Sequence, residues 1–298
     1  MSNTDRAWSG TSWGGDWLLR LLIFGLRIFD VRIFYVIMAV FVIPVTLLVQ
    51  PSRRTSYDFL RRRCGKSPLR AAWGVYVNHC LFGQVVLDRF AMYAGQKYKI
   101  STEHFELFES LSRAEGSFAV LSAHVGAYEL AGYGLKANKR MNSLVYPREK
   151  ETVMRGRHKL FDANNINMIA VQDDMSHLYE IEDAVRRGEA ISMPADRVFG
   201  SRKTIGSTLM GEDVQLPQGP FRIVTMHSLP CLTVNVVKES SKAYRIYIDR
   251  LDYDTTATRK EQMSQLADSY TSQLEHLLKN GYAEQWYNFY DFWKANVA

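Results

Sequence analysis

The chain has 298 residues, 47% of them hydrophobic and 23% charged, which excludes a disordered protein and allows a substantial core. Its net charge of +6 points to an anionic partner, and its 12% aromatic content suits either a membrane boundary or ordinary core packing. Cys64, Cys80 and Cys231 stand far apart with no C-x-x-C pair, so they suggest neither a disulfide framework nor a zinc site, and a reducing compartment is expected.

The first predicted element is an amphipathic stretch, "DWLLRLLIFGLRIFDVR", which mixes apolar residues with Arg20, Arg27, Asp30 and Arg32. It runs into an uncharged segment from Ile33 to Val49, at the short limit for crossing a bilayer, where Pro44 predicts a kink. The apolar run starts too late for a cleaved signal peptide. After it, Arg53, Arg54, Arg61, Arg62, Arg63, Lys66 and Arg70 face only Asp58, a basic flank that marks a cytoplasmic, anionic lipid surface. A buried core helix followed by a solvated basic loop is the plainer alternative. Nucleic acid is not expected, because the basic run has no interleaved stacking aromatics. "GKS" at 65 to 67 lacks the earlier glycine of a phosphate loop, Leu60 standing there instead.

Residues 69 to 94 carry apolar positions at helical spacing without proline, and 103 to 114 predict a short amphipathic helix. Apolar runs at 117–122, 141–146, 167–171 and 189–193 then alternate with helical segments at 127–137, 150–164 and 175–187. Such alternation predicts an α/β fold, a mostly parallel central sheet flanked by helices. Two more strands, about 231–238 and 243–250, are close enough to pair antiparallel, and a last helix spans about 258–279. The expected organisation is an N-terminal membrane-associated anchor over 1–50 and one domain over 51–298. Ligands in such sheets bind at the carboxyl ends of strands. His124, Tyr146, Gln172, Asp173 and Asp196 all follow predicted strands.

In "LSAHVGAYEL" (121–130) an apolar run ends at His124, passes Gly126 and reaches Glu129. Were all of it helical, His124 and Glu129 would lie about 140° apart and never meet. If the helix starts after the histidine, Glu129 can reach the ring. A carboxylate on one ring nitrogen fixes the tautomer and makes the other a better base, and a nearby helix N-terminus can stabilise an oxyanion. A packed or solvated histidine at a strand end is the more common use of the same residues.

The H-x-x-x-x-E form of "HVGAYE" resembles the glycerolipid-type acyltransferases. "ISMPADR" (191–197), "LMGEDVQLPQGPFRIV" (209–224) and "EQWYNFYDFW" (284–293), in that order, resemble blocks of the bacterial late acyltransferases of lipid A biosynthesis. The Arg197 form and the aromatic ending look closer to a less studied branch. The resemblance implies transfer of a fatty acyl group from an acyl carrier protein or coenzyme A thioester to a lipid hydroxyl or amine. It implies His124 as general base, Glu129 as its partner, direct attack without a covalent intermediate, and no metal or other cofactor. The expected setting is the bacterial inner membrane, with the catalytic domain on the cytoplasmic face.

Asp196 and Arg197 are expected to line the site, holding the acceptor headgroup or supporting the base; a surface ion pair is the alternative. Arg155 and Arg157 are candidates for acceptor phosphate or phosphopantetheine, or an ordinary basic helix face. Gly219, before Pro220, is a candidate for placing backbone amides near the donor, or simply a helix start. "DDMSH" (Asp173, Asp174, His177) is better explained by helix capping than by a metal. His79, His104, His158 and His227 lack a partner pattern and read as structural. A non-catalytic lipid-binding scaffold of the same fold is the competing function.

Overall fold

The computed structural model describes residues 16–145, 165–172, 174–198 and 203–293. The predicted helix at 150–164, together with Tyr146, Arg155, Arg157, His158 and Asp173, lies outside the described residues.

The N-terminal region is a run of helices: α1 (Asp16–Ile28), α2 (Val31–Ile37), α3 (Ile43–Val49) and α4 (Ser52–Asp58). Asp30 caps α2 by accepting from the Arg32 amide. Between α2 and α3 the chain stays helical through a π turn, Met38–Val42, just ahead of Pro44. The wider turn accommodates the missing N–H and the ring bulk of the proline. Val31–Val49 is thus one apolar helix, long enough on length and composition to cross a bilayer, and only 22% of it is buried. Its buried residues, Val31, Tyr35, Met38 and Ile43, face α5 (Pro68–Tyr93). That helix starts as its sequence dictates, with Ser67 as cap and Pro68 in the first turn.

Seven strands form the central sheet in the order β1-β9-β8-β2-β5-β3-β4. They are β1 (Lys99–Glu103), β2 (Ala119–Ser122), β3 (Met141–Val145), β4 (Ile166–Ala170), β5 (Ala190–Pro194), β8 (Cys231–Ser240) and β9 (Ala243–Leu251). Strands β8, β2, β5, β3 and β4 are mutually parallel, while β9 turns back antiparallel on β8 and carries β1 parallel to itself. The central strand β2 is buried at every position. Ala119 and Leu121 point into one core and Phe118 and Val120 into the other. A strand covered on both faces has to be apolar throughout, which is why β2 is legible as a run rather than as an alternation.

Helices α6 (Phe105–Arg113), α8 (His177–Arg186), α9 (Gln218–Met226) and α10 (Arg259–Leu277) flank the sheet. Thr258 and Glu261 close a capping box at the start of α10. A hairpin of β6 (Thr204–Leu209) and β7 (Glu212–Pro217) lies against α10 and was not foreseen. Its two-residue turn, Met210–Gly211, has φ of 54° and 77°, the sign pair of a type I′ turn. Beyond α10 the chain bends at Gly281 and returns its aromatic tail to the sheet, where Trp286 bridges to Val125.

The predicted helix at 127–137 shrinks to a 3-10 turn (Tyr128–Leu130) and one helical turn, α7 (Ala131–Gly134). A Cβ at Gly134 would sit 2.6 Å from the Ile246 Cδ1, so this segment is pressed onto the sheet and cannot extend as a regular amphipathic helix.

Candidate functional site

His124 sits just past the end of β2 and Asp196 just past the end of β5. The register of the two strands pairs Ser122 with Pro194, so two residues further along each chain bring His124 and Asp196 level. Asp196 Oδ1 accepts from His124 Nδ1 at 2.6 Å, and its Oδ2 accepts the His124 backbone N–H at 2.8 Å. The Trp286 indole N–H donates to the same Oδ2 at 3.2 Å. Three donors therefore converge on one carboxylate whose side chain is only 2% exposed, while that of His124 is 18% exposed.

Burial alone would push the Asp196 carboxyl up. The neighbouring His124, its hydrogen bonds and the Arg197 charge outweigh that cost and hold the group down at about 2. The carboxylate is consequently ionised at neutral pH and can only accept. Nδ1 then carries the ring proton and Nε2 presents its lone pair. Nε2 makes no hydrogen bond among the described residues, and the Tyr128 ring stands edge-on to the imidazole at 5.3 Å.

The backbone around the histidine is held from several directions. The Tyr287 N–H donates to the His124 carbonyl at 2.9 Å, the Gly126 N–H to the Gln285 carbonyl at 2.8 Å, and the Ala127 N–H to the Val236 carbonyl at 2.7 Å. Gly126 has φ of +60°, and a Cβ there would overlap the Val236 carbonyl oxygen. No other residue type fits that bend. The helical turn starts only at Tyr128, so the histidine lies outside it, as the geometry of the motif demands. The amides of Gly126 and Ala127 are already committed, so they are not spare donors for an oxyanion.

The other expected site residues divide. The Glu129 backbone lies in the 3-10 turn after His124, and its side chain falls outside the described residues, as do Arg155 and Arg157. The half-buried Arg197 donates through Nη2 to the Tyr287 carbonyl at 2.8 Å, and its Nε is buried without a partner among the described residues. Gly219 opens α9 on the surface, with nothing within 4 Å of where a Cβ would stand. Asp174 accepts from the Ser176 amide, and His177 Nδ1 accepts from the Gln172 amide, so both are engaged locally at the start of α8. His79 and His104 each bond a backbone carbonyl through Nδ1, and His227 pairs with Glu182.

Sequence reasoning gave no role to the tail residues that complete the site. Trp286 and Tyr290 both bond Asp196, the latter through its hydroxyl to the Asp196 carbonyl at 2.9 Å. Gln285 accepts the Lys238 amide and donates to the Lys238 carbonyl, both at 2.8 Å, which fixes the tail against β8. The only signal was the density of aromatics in "EQWYNFYDFW".

A protein-family model described as a bacterial lipid A biosynthesis acyltransferase matches residues 89–295, well over half of the chain and inclusive of His124, Asp196 and the aromatic tail. No curated protein matches the sequence.

Proposed function

The chain belongs to the bacterial lipid A biosynthesis acyltransferase family, and on that premise we propose that it moves a fatty acyl chain from a thioester to a lipid hydroxyl or amine, with His124 as general base. The observation that carries this reading is the tether between His124 Nδ1 and the ionised, buried Asp196. It holds the ring in the tautomer that has a free lone pair on Nε2, at the carboxyl end of a parallel sheet.

In the proposed reaction, Nε2 takes the proton of the acceptor group as its oxygen or nitrogen attacks the thioester carbonyl carbon. The tetrahedral intermediate collapses with cleavage of the C–S bond, and the departing thiolate receives the proton from the imidazolium. The products are the acylated lipid and the free thiol, with no covalent enzyme intermediate and no metal. Asp196 is a positioning residue in this scheme. It also stabilises the imidazolium that forms. Asp196 holds Nδ1, so Glu129 of the H-x-x-x-x-E form is kept as a proposed further acid of the site rather than as the group on that nitrogen. Arg197, whose buried Nε has no partner among the described residues, offers a donor for a bound acceptor or donor group. Arg155, Arg157 and Gly219 remain proposed contacts for phosphate and donor.

The donor is an acyl carrier protein or coenzyme A thioester, and the acceptor is a membrane lipid on the cytoplasmic face of the inner membrane. An apolar helix at Val31–Val49 beside a basic flank supports that setting. The test is thiol release from acyl carrier protein and coenzyme A thioesters by purified protein supplied with bacterial lipid. Release should require both lipid and His124. A His124→Ala variant as fast as the parent would defeat the assignment.

A further inference from the structure

The helix Val31–Val49 has the length and composition of a bilayer span, yet its start and the short helical segment that follows it are both fastened to the same catalytic domain. At its start, Lys242 pairs with Asp30 at 2.6 Å and Arg32 Nε donates to Ser241 Oγ at 2.9 Å, both at the β8–β9 turn. Tyr35 donates to the Ser241 carbonyl at 3.1 Å and to Asp88, which is itself ion-paired with Lys238 of β8. Beyond its end, Lys66 pairs with Glu284, Arg63 pairs with Glu212 and stacks 4.7 Å over Trp293, and Phe59 meets Trp286 edge-on at 5.1 Å. Along its middle, the Tyr76 hydroxyl of α5 donates to the Ala39 carbonyl at 3.0 Å.

A 19-residue helix is about 28 Å long, close to the thickness of the hydrocarbon layer. A helix that crossed the bilayer would leave its two ends on opposite sides. The helical segment from Ser52 to Arg63 that follows is, at about 18 Å, too short to return across the bilayer, so contacts from the helix start and from residues 59–66 to one sheet and its tail are incompatible with that. From these contacts, and resting on the membrane-bound reading above, we infer that the chain is monotopic. The helix Val31–Val49 lies in the plane of one leaflet along α5, and its exposed side is the face that enters the lipid.

The surface agrees with such an occupant. Phe41 is 68% exposed and Leu48 76%, and the apolar face continues onto the catalytic domain's own helix α5 through Leu69 and Trp73, exposed by 85% and 65%. A helix that merely spanned the bilayer would not need an apolar extension on its neighbour. Exposed Arg54, Arg61 and Arg62 border this face, complementing a leaflet of anionic headgroups.

The test uses full-length protein carrying Cys64→Ser, with Cys80 and Cys231 left in place because they are buried. Single cysteines replace Arg20, before the helix, or Arg54, after it. Each variant is expressed in a bacterium and treated with a membrane-impermeant maleimide, in spheroplasts and in inverted inner-membrane vesicles. Both positions should label in inverted vesicles and neither in spheroplasts. Labelling of the two positions from opposite sides would overturn the in-plane arrangement. So would labelling of either one only after the bilayer is dissolved. Recovery of the chain solely in the soluble fraction would instead defeat the membrane-bound reading itself, whereas loss of thiol release in His124→Ala would be unaffected by either result.

Discussion

The Asp196→Asn substitution is a sharp perturbation, because an amide cannot reproduce what this carboxylate does. Oδ2 accepts two donors, the His124 backbone N–H and the Trp286 indole N–H, while Oδ1 accepts one, the His124 Nδ1–H. An asparagine has one acceptor oxygen and one donor group. Turned with its oxygen toward Nδ1, it would aim its NH₂ at two buried N–H groups, leaving each unpaired at about 1–3 kcal/mol apiece. The opposite orientation costs less, and it places NH₂ against Nδ1. The ring must then accept there and move its proton to Nε2, the atom that has to act as base. We expect kcat to fall by about 10²- to 10⁴-fold, in line with the loss of the correct tautomer and of the charge that stabilises the imidazolium. KM should change little, since Asp196 does not face substrate. The assay is steady-state thiol release on folded protein, paired with ¹⁵N chemical shifts of the His124 ring to read the tautomer. A kcat within about threefold of the parent, or a variant ring still protonated at Nδ1, would refute the reasoning.

Other outcomes follow from the same geometry. The Asp196 carboxyl is held at about 2 against an ordinary 3.8, so its stabilisation of roughly 2 kcal/mol is complete above about pH 4 and is lost as pH falls toward 2. Thermal melts of Asp196→Asn should therefore flatten across that acid window relative to the parent. Gly126→Ala forces a methyl into the Val236 carbonyl at a left-handed φ, and should lower stability by several kcal/mol, about 2 or more, in a denaturation experiment while also reducing activity. Lys238→Met removes the cation beside the buried Asp88, leaving the Tyr35, Tyr98 and Tyr244 hydroxyls as its partners among the described residues, and should cost about 3–5 kcal/mol in the same measurement. Replacing exposed Leu69 and Trp73 together by glutamate should leave stability nearly unchanged but weaken binding to anionic vesicles by at least about tenfold in a flotation assay.

How much of this could be read in advance depended on whether a signal was local. The parallel strands were legible because strands covered on both faces are continuous apolar runs, as at 119–122 and 190–194. Strand β1 reads "KISTE", an edge strand of mixed polarity, and was invisible for that reason. The β6–β7 hairpin was hidden because its turn, Met210–Gly211, shows only half of the usual signature. The site split the same way. His124 at a strand end and the bend at Gly126 were local features. Its partner Asp196 lies 72 residues away and meets it only because β5 inserts beside β2 ahead of β3 and β4. Strand order of that kind is set by tertiary packing, and no spacing in the chain encodes it. The tail was legible as aromatic density, yet its task, donating Trp286 and Tyr290 hydrogen bonds to Asp196, depends on the turn at Gly281 that brings it back to the sheet.

The account stands on His124 as the group that accepts the acceptor's proton during acyl transfer. Its most direct test is the rate of lipid-dependent thiol release from an acyl thioester, measured for the parent and for His124→Ala of equal stability and equal membrane binding. The account predicts that the variant falls to the uncatalysed background. A variant that turns over at the parental rate would contradict it.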